Sequence, residues 1–244
     1  MGNSAADLVI VNGKVITVNQ NFEIASAVAV KDGRIVAVGD NDDVKALTTP
    51  ATEVIDLDGR TMLPGINDSH MHAPFFGATR PPLALDMSFP HVQSIGDIVE
   101  AVRVKATEVE PGEWIRGFGW DQGSLEECKN DPSMFPRRSD IDPVSPDNPV
   151  ILTDFSGHTI LVNHKALEMA GITSDTEPPS GVIERDAEGE ATGIFLELGA
   201  QALITKFVPI LTREEKKEAL LSAIGLLSAN GITSFTDAAI GPGG

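Results

Sequence analysis

The sequence predicts an α/β fold in which a small β-rich unit precedes alternating strands and helices. The first sixty residues hold short apolar stretches separated by Gly-containing turns, and later strand patterns alternate with helix patterns. Hydrophobic residues make up 41% of the 244 residues, which is enough to bury a substantial core. Alternating strands and helices favour a mostly parallel sheet or a barrel. We therefore expect one domain over residues 1–60 and a second over residues 61–244, with a long insertion at about 80–210.

The first domain is predicted to consist of strands joined by tight turns. Asn12-Gly13 and Asp32-Gly33 each lie between two apolar stretches, which is the usual pattern of a β-hairpin. The candidate strands are residues 8–11, 14–18, 27–30, 35–39 and 53–57. We expect a small antiparallel unit whose role is packing.

The pattern changes after Thr61, where an apolar strand runs into a polar segment. A helix is expected over residues 94–109 because its apolar residues recur at helical spacing. Thr212 and Glu215 form a capping-box pattern that opens another helix, ending near Ala229. The other expected elements are strands at 113–119, 149–154 and 232–237, a short helix at 163–170, and a long loop at 121–149.

The strand count falls short of a closed barrel. About four strands of barrel type are recognisable, whereas an eight-stranded barrel needs twice that number. We therefore expect the chain to be incomplete, so that a second polypeptide segment completes the barrel. Whether the protein also forms a homo-oligomer is left open by the sequence.

Charge and composition exclude several classes of partner. The formal net charge is -18, which disfavours nucleic acid and anionic membrane surfaces because both are bound through clustered Lys and Arg. The single cysteine, Cys128, lies in a polar stretch that suggests an exposed loop, and it cannot form an internal disulfide. No signal-peptide pattern and no apolar run of about 20 residues is present, so we expect a soluble cytoplasmic protein.

A candidate metal site follows the apolar strand after Thr61. Alternate residues of a strand face the same side, so Asp68, His70 and His72 project together if the strand continues to His72. Two imidazoles on one face are well placed to bind one divalent cation. The alternative is two unrelated histidines in a polar loop, but the preceding strand and the Pro64-Gly65 bend favour the metal site.

A series of motifs resembles the amidohydrolase superfamily, and more closely its family-3 branch, which includes N-substituted formamide deformylase-like proteins. The first-strand signature is similar at 63–72, and the resemblance covers nearly the whole chain. The other matching segments are Gly119-Trp120-Asp121 and residues 145–150, 157–163, 165–167, 181–186, 189–193 and 231–237.

This resemblance implies a (β/α)8 barrel with a small β-sandwich domain built in part from the N-terminal strands. It also implies one or two divalent metal ions, usually zinc, bound in part by His70 and His72. A metal-activated water would then hydrolyse a non-peptide C–N bond of a small amide or formamide substrate. No position here matches the family's remaining ligands or its catalytic aspartate, so a non-catalytic or regulatory amidohydrolase-like protein stays an alternative.

Three residues are candidates for substrate binding. The resemblance places His158 near the substrate cavity, where it could hydrogen-bond a carbonyl or an oxyanion, and the alternative is a histidine satisfied by loop backbone. Trp120 and Asp121 could line the pocket mouth. The alternatives are ordinary core packing for Trp120 and a turn for Asp121.

Two carboxylates have weaker claims to a functional role. Glu197 follows an apolar run, and a buried carboxylate there would need a metal or an Arg as its partner. The favoured interpretation is that Glu197 lies on the polar face of an amphipathic helix. Asp237 ends its strand, where it could support the metal site or cap a helix. Asn163 is expected to cap the helix that follows it.

Overall fold

The computed structural model describes residues 5–129, 131 and 133–238. The chain forms two compact units, one of Met1–Ser69 with Gly231–Phe235, the other of His70–Asn230 with Thr236–Gly244. The division thus falls nine residues later than the domain boundary expected at residue 60, and a late segment belongs to the first unit. The mixed α/β class expected from the sequence is confirmed.

The first unit contains two sheets. Its elements are β1 (Leu8–Val11), β2 (Lys14–Ile16), β3 (Ile24–Ala25), β4 (Ala27–Lys31), β5 (Arg34–Gly39), α1 (Asn41–Lys45), β6 (Glu53–Asp56) and β7 (Thr61–Met62). The four-stranded sheet has the order β5-β4-β1-β6, and the three-stranded sheet has the order β3-β2-β7. Small apolar side chains, including Val9, Val11 and Val44, form the core beneath the larger sheet.

The hairpin predicted at Asn12-Gly13 is wrong. β1 and β2 lie in different sheets, because these two residues carry the chain from one sheet to the other. Asn12 has φ 55 and its backbone N–H bonds to Asn41 Oδ1, whereas Gly13 N bonds to Ser26 O. β1 also pairs in parallel with β6, so the unit is mixed and not purely antiparallel. The second predicted hairpin, β4 with β5, is confirmed.

The second unit holds most of the helices. The remaining elements are β8 (Ile66–Met71), α2 (Ala73–Ala78), β9 (Leu85–Asp86), α3 (Ile95–Ala106), β10 (Ile115–Trp120), α4 (Arg138–Ile141), β11 (Val150–Asp154), β12 (Thr159–Val162), α5 (His164–Ala170), β13 (Val182–Arg185), β14 (Ala191–Leu196), α6 (Glu197–Thr205), α7 (Arg213–Ala229) and β15 (Ile232–Asp237). The unit boundary in the sequence falls within β8 and within β15. α4 and two short 3₁₀ turns, Gln122–Ser124 and Asp142–Val144, replace part of the loop expected at 121–149.

A six-stranded sheet forms the centre of this unit, in the order β13-β14-β12-β11-β10-β9. β9, β10 and β11 pair in parallel, whereas β11–β12, β12–β14 and β14–β13 pair antiparallel. The expectation of a mostly parallel sheet is therefore wrong for this part of the chain. The reason is that residues 155–158 and 186–190 are tight turns, and parallel neighbours need a long crossover connection.

Helix ends follow the predicted capping residues. Ser94 caps α3, and the reciprocal Thr212–Glu215 capping box opens α7 as expected. Asn163 caps α5, which ends at Gly171 in the left-handed conformation. These local signals therefore predicted α3, α5 and α7 to within a few residues.

Cys128 is buried, which contradicts the exposed loop expected for it. The side chain belongs to the core cluster that contains Ile98, Ile115 and Leu152. Burial, followed by the charges of Glu127 and Asp131, raises the pKa of the Cys128 thiol. Within the described ranges, no helix is long and apolar enough to cross a membrane.

β8 and β15 form a separate two-stranded sheet. Ile66 N bonds to Gly231 O near the start of both strands, and Ala238 N bonds to Met71 O near their ends. The same order of contacts along both strands shows that they run parallel. Their carboxyl ends therefore meet at one edge, where His70, His72 and Asp237 lie.

Candidate functional site

His70 and His72 converge at the end of β8. The strand ends at Met71, so His72 lies just beyond it and immediately precedes α2. The two Nε2 atoms are nevertheless 3.3 Å apart, and the ring planes are nearly perpendicular at 88°. The strand thus brings the two predicted ligands together, as their alternate spacing suggested.

Asp237 supports the same corner from β15. Its Oδ2 accepts a hydrogen bond from the backbone N–H of Ala73, the first residue of α2, at 2.8 Å. Its Oδ1 lies 4.0 Å from Nδ1 of His72, and the side chain is only 7% exposed. The capping role considered for Asp237 is therefore confirmed, except that the helix it caps begins 164 residues earlier in the chain.

A cavity of about 430 Å³ lies in the second unit. Phe75, one helical turn after His72, forms one wall and contacts Phe118 of β10 edge to face, with ring centroids 5.5 Å apart. Thr153 of β11 and Gly157 of the turn that follows it also line the cavity. The remaining lining residues are Ala78, Thr79, Ala84, Arg116, Gly117, Ile151, Thr205 and Val208.

Arg116 is the charged group of this cavity wall. Its Nη2 donates to Pro209 O at 2.6 Å, and partial burial lowers the pKa of its guanidinium. The other lining side chains are largely apolar. The cavity is therefore suited to a small substrate with an apolar portion.

His158 pairs with Glu197, which the sequence did not predict as its partner. Nδ1 of His158 lies 2.9 Å from Oε2 of Glu197, and both side chains are more than half exposed. The hydrogen bond to Glu197 and its charge raise the pKa of His158, with a smaller contribution from Asp154. Glu197 opens α6 and is exposed, so the metal or Arg suggested as its partner is replaced by a histidine.

Trp120 packs in the core and Asp121 caps a turn, which are the alternatives to substrate binding considered for these two residues. Trp120 is fully buried in the core, and its Nε1 donates to Leu152 O at 3.0 Å, so it does not line the cavity. Asp121 caps the turn at Gln122–Ser124 by accepting from the backbone of Gly123 at 3.0 Å. Both positions follow from the end of β10, where the chain turns away from the sheet.

Comparison with known proteins decides the family. A sequence model of the amidohydrolase family matches residues 53–244. The chain belongs to the amidohydrolase family. N-substituted formamide deformylase of Arthrobacter pascens is 36% identical over 81% of this amidohydrolase chain and 35% of its own length. A putative amidohydrolase of Bacillus subtilis is 35% identical over 91% of the chain and 40% of its own length.

A solved structure supports the same assignment. A metal-dependent hydrolase of uncharacterised function from Pyrococcus furiosus has a TM-score of 0.58 and 27% identity, and it aligns with 93% of this amidohydrolase chain. The match covers 43% of that protein. The chain thus spans roughly two fifths of the relatives it matches.

The histidine pair fits a metal ion by distance. Two nitrogen ligands about 2.0–2.1 Å from one zinc ion lie about 3.3–3.4 Å apart at the tetrahedral angle, and the observed separation is 3.3 Å. Among the described residues, no group of three or more His, Cys, Asp or Glu side chains is arranged to hold a metal. The described residues therefore offer a pair of imidazole nitrogens at a spacing that suits one cation, and this pair alone is not a complete metal site.

Proposed function

We propose that this protein is a metal-dependent hydrolase that cleaves a non-peptide C–N bond of small N-substituted amides or formamides. The observation that carries the proposal is the convergence of His70 and His72 at 3.3 Å on the carboxyl end of β8. The relative from Arthrobacter pascens, named N-substituted formamide deformylase, favours this substrate class.

We extend the proposal to a zinc site of one or two ions within a (β/α)8 barrel. β8 is followed by α2, and α7 leads into the parallel strand β15, which is the repeat expected of such a barrel. The remaining strands, the other ligands and the general base are proposed to come from a further polypeptide segment. The residues of β1–β7 are proposed as part of the accompanying β-sandwich domain.

The reaction needs only water as a co-substrate. A bound divalent cation lowers the pKa of a water molecule and polarises the carbonyl group. A new C–O bond forms as the C–N bond breaks, and the proton of water passes to the departing amine, so an N-substituted formamide gives formate and an amine. His70 and His72 would hold the cation, and Asp237 fixes the start of α2 directly after His72.

The cavity beside α2 is proposed to hold the N-substituent. Phe75 lies three residues after His72, and its ring packs against that of Phe118, so the two supply apolar surface to the cavity. Filling the cavity from its exposed rim with Thr205→Trp should raise KM for bulky N-substituents more than for small ones. Equal effects on both would contradict this assignment of the cavity.

Metal analysis of the whole protein tests the proposal. The double variant His70→Ala/His72→Ala should lose bound metal and hydrolysis, whereas His91→Ala, which removes an exposed histidine elsewhere in the second unit, should lose neither. Unchanged metal content in a folded double variant would overturn the metal site. Retained metal in the parent protein, without release of formate or amine from a panel of N-substituted formamides, would favour the non-catalytic alternative.

A further inference from the structure

We propose that Glu197 is a positioning residue that orients His158, so that Nε2 of His158 is presented to an oxygen atom of the substrate. This inference rests on the hydrolase function proposed above. It gives a role to Glu197, which the sequence had placed on the solvent-exposed face of a helix.

Two contacts of different kinds connect the residues. Oε2 of Glu197 lies 2.9 Å from Nδ1 of His158, and the backbone N–H of Glu197 donates to the carbonyl oxygen of His158 at 2.8 Å. The first contact orients the ring, and the second fixes the two backbones against each other. The backbone contact continues the antiparallel pairing of β12 with β14, so the strand pairing itself places Glu197 beside His158.

The backbone of Glu197 adopts a conformation that disfavours most side chains. Its φ is 68°, in the left-handed region, where glycine or asparagine is favoured. Gly181 packs closely on this turn, because a Cβ added to it would collide with Leu196 O and lie 3.0 Å from the Cβ of Glu197. A glutamate at such a position is an outlier of the kind that gathers at functional sites.

The turn that carries His158 is itself fixed by side chains. Ser156 Oγ donates to Asp154 Oδ2 at 2.6 Å and accepts from the backbone N–H of His158 at 3.1 Å. Gln201 of α6 donates to Gly157 O at 3.1 Å. The histidine is therefore presented on a braced turn, and this turn adjoins the cavity through Gly157.

These contacts determine which ring nitrogen faces outward. An ionised carboxylate only accepts hydrogen bonds, so Nδ1 of His158 carries the proton that Glu197 receives. Nε2 has no hydrogen-bond partner among the described residues, and the side chain is exposed. Glu197 and Asp154 both favour the protonated ring, in which Nε2 is a donor. A donor at this position suits the carbonyl oxygen of an amide, or the negative charge that develops on it during hydrolysis.

Imidazole NMR tests the positioning role without using turnover. We expect the wild-type His158 to keep its proton on Nδ1, and its pKa to fall in Glu197→Gln, which removes the charge. Glu188→Gln removes the same charge from an exposed turn and should leave the pKa of His158 unchanged. Glu197→Gly accepts the left-handed backbone and serves as a second variant if Glu197→Gln folds poorly. An unchanged His158 pKa in folded Glu197 variants would overturn the proposal.

Kinetics then separate this inference from the proposed activity. With N-butylformamide as probe, Glu197→Gln should lower kcat/KM by about tenfold, the low end of the range for removing a carboxylate that orients a metal-bound histidine. Metal content should not change, and the loss of activity at rising pH should move to lower pH. Wild-type kcat/KM in the variant would overturn the positioning role. A third outcome is possible, in which the NMR result is as expected and N-butylformamide shifts the His158 signals, but the wild type does not hydrolyse it. That outcome would reject the hydrolase function and leave the positioning role standing.

Discussion

Asp237, the last residue of β15, accepts a hydrogen bond from the backbone N–H of Ala73 at 2.8 Å across a sequence separation of 164 residues. Ala73 is the first residue of α2 and follows His72 directly. The other carboxylate oxygen lies 4.0 Å from Nδ1 of His72. One buried carboxylate therefore caps the start of the helix and places its second oxygen near the histidine that precedes it.

Asp237→Asn should weaken metal binding while keeping the fold. The amide still offers an oxygen to Ala73, but the negative charge beside His72 is lost, and such partners of metal-bound histidines are worth about 10–100-fold in metal affinity. Competition with a chelator measures the change. Asp237→Ala should in addition lose about 1 kcal/mol of stability, because a helix N–H loses its acceptor. Equal metal affinity in wild type and Asp237→Asn would contradict a supporting role.

His158→Ala should reduce turnover without changing metal content. The reason is that His158 pairs with Glu197 on a turn that adjoins the cavity, whereas His70 and His72 form the metal pair. Steady-state kinetics and elemental analysis on the same preparation measure both quantities. Loss of metal would place His158 among the ligands, and full activity would make its role structural.

The sequence predicted the features that depend on neighbouring residues. The His-x-His spacing brought the two rings together, and the capping box at Thr212 placed the start of α7 correctly. The hairpin at Asn12-Gly13 failed because the same dipeptide also suits a turn between two sheets, and tertiary contacts of Asn12 and Gly13 decided the outcome.

The pairing of His158 with Glu197 could not be predicted in this way. The residues are 39 positions apart, and their contact depends on the antiparallel pairing of β12 with β14, which places the start of one strand beside the end of the other. A mostly parallel sheet, as the alternation of elements suggested, would have separated them. The one feature of the sequence that pointed to this pair was Glu197 itself, a carboxylate directly after an apolar strand with no evident partner nearby in the sequence.

Trp120→Phe should destabilise the fold and leave KM unchanged. Trp120 is buried and its indole N–H bonds to Leu152 O, so the change removes a buried hydrogen bond and leaves a small void. The expected loss is about 1–3 kcal/mol in unfolding free energy, measured by denaturant titration. Trp114→Phe should cost less, because Trp114 is only partly buried and packs against a different core cluster, which includes Ile160 and Phe195. A raised KM with unchanged stability would return Trp120 to the substrate pocket.

Gly77→Ala should disrupt the packing of α2 against α7. A Cβ at Gly77 would lie 1.8 Å from the backbone oxygen of Ala219, so the two helices must move apart. Overpacking of this kind costs about 1–3 kcal/mol, and a clash with backbone has little freedom to relax. Since α2 begins beside His72, metal affinity should fall together with stability.

Gly225→Ala provides the matched control for this substitution. Gly225 also lies in a helix, α7, but its Cβ would meet nothing within 4 Å. Alanine is favoured over glycine in an exposed helix by about 1 kcal/mol, so this variant should gain stability. Thermal or denaturant unfolding of both variants measures the difference, and a Gly77→Ala protein as stable as Gly225→Ala would show that the close approach of α2 and α7 is not needed.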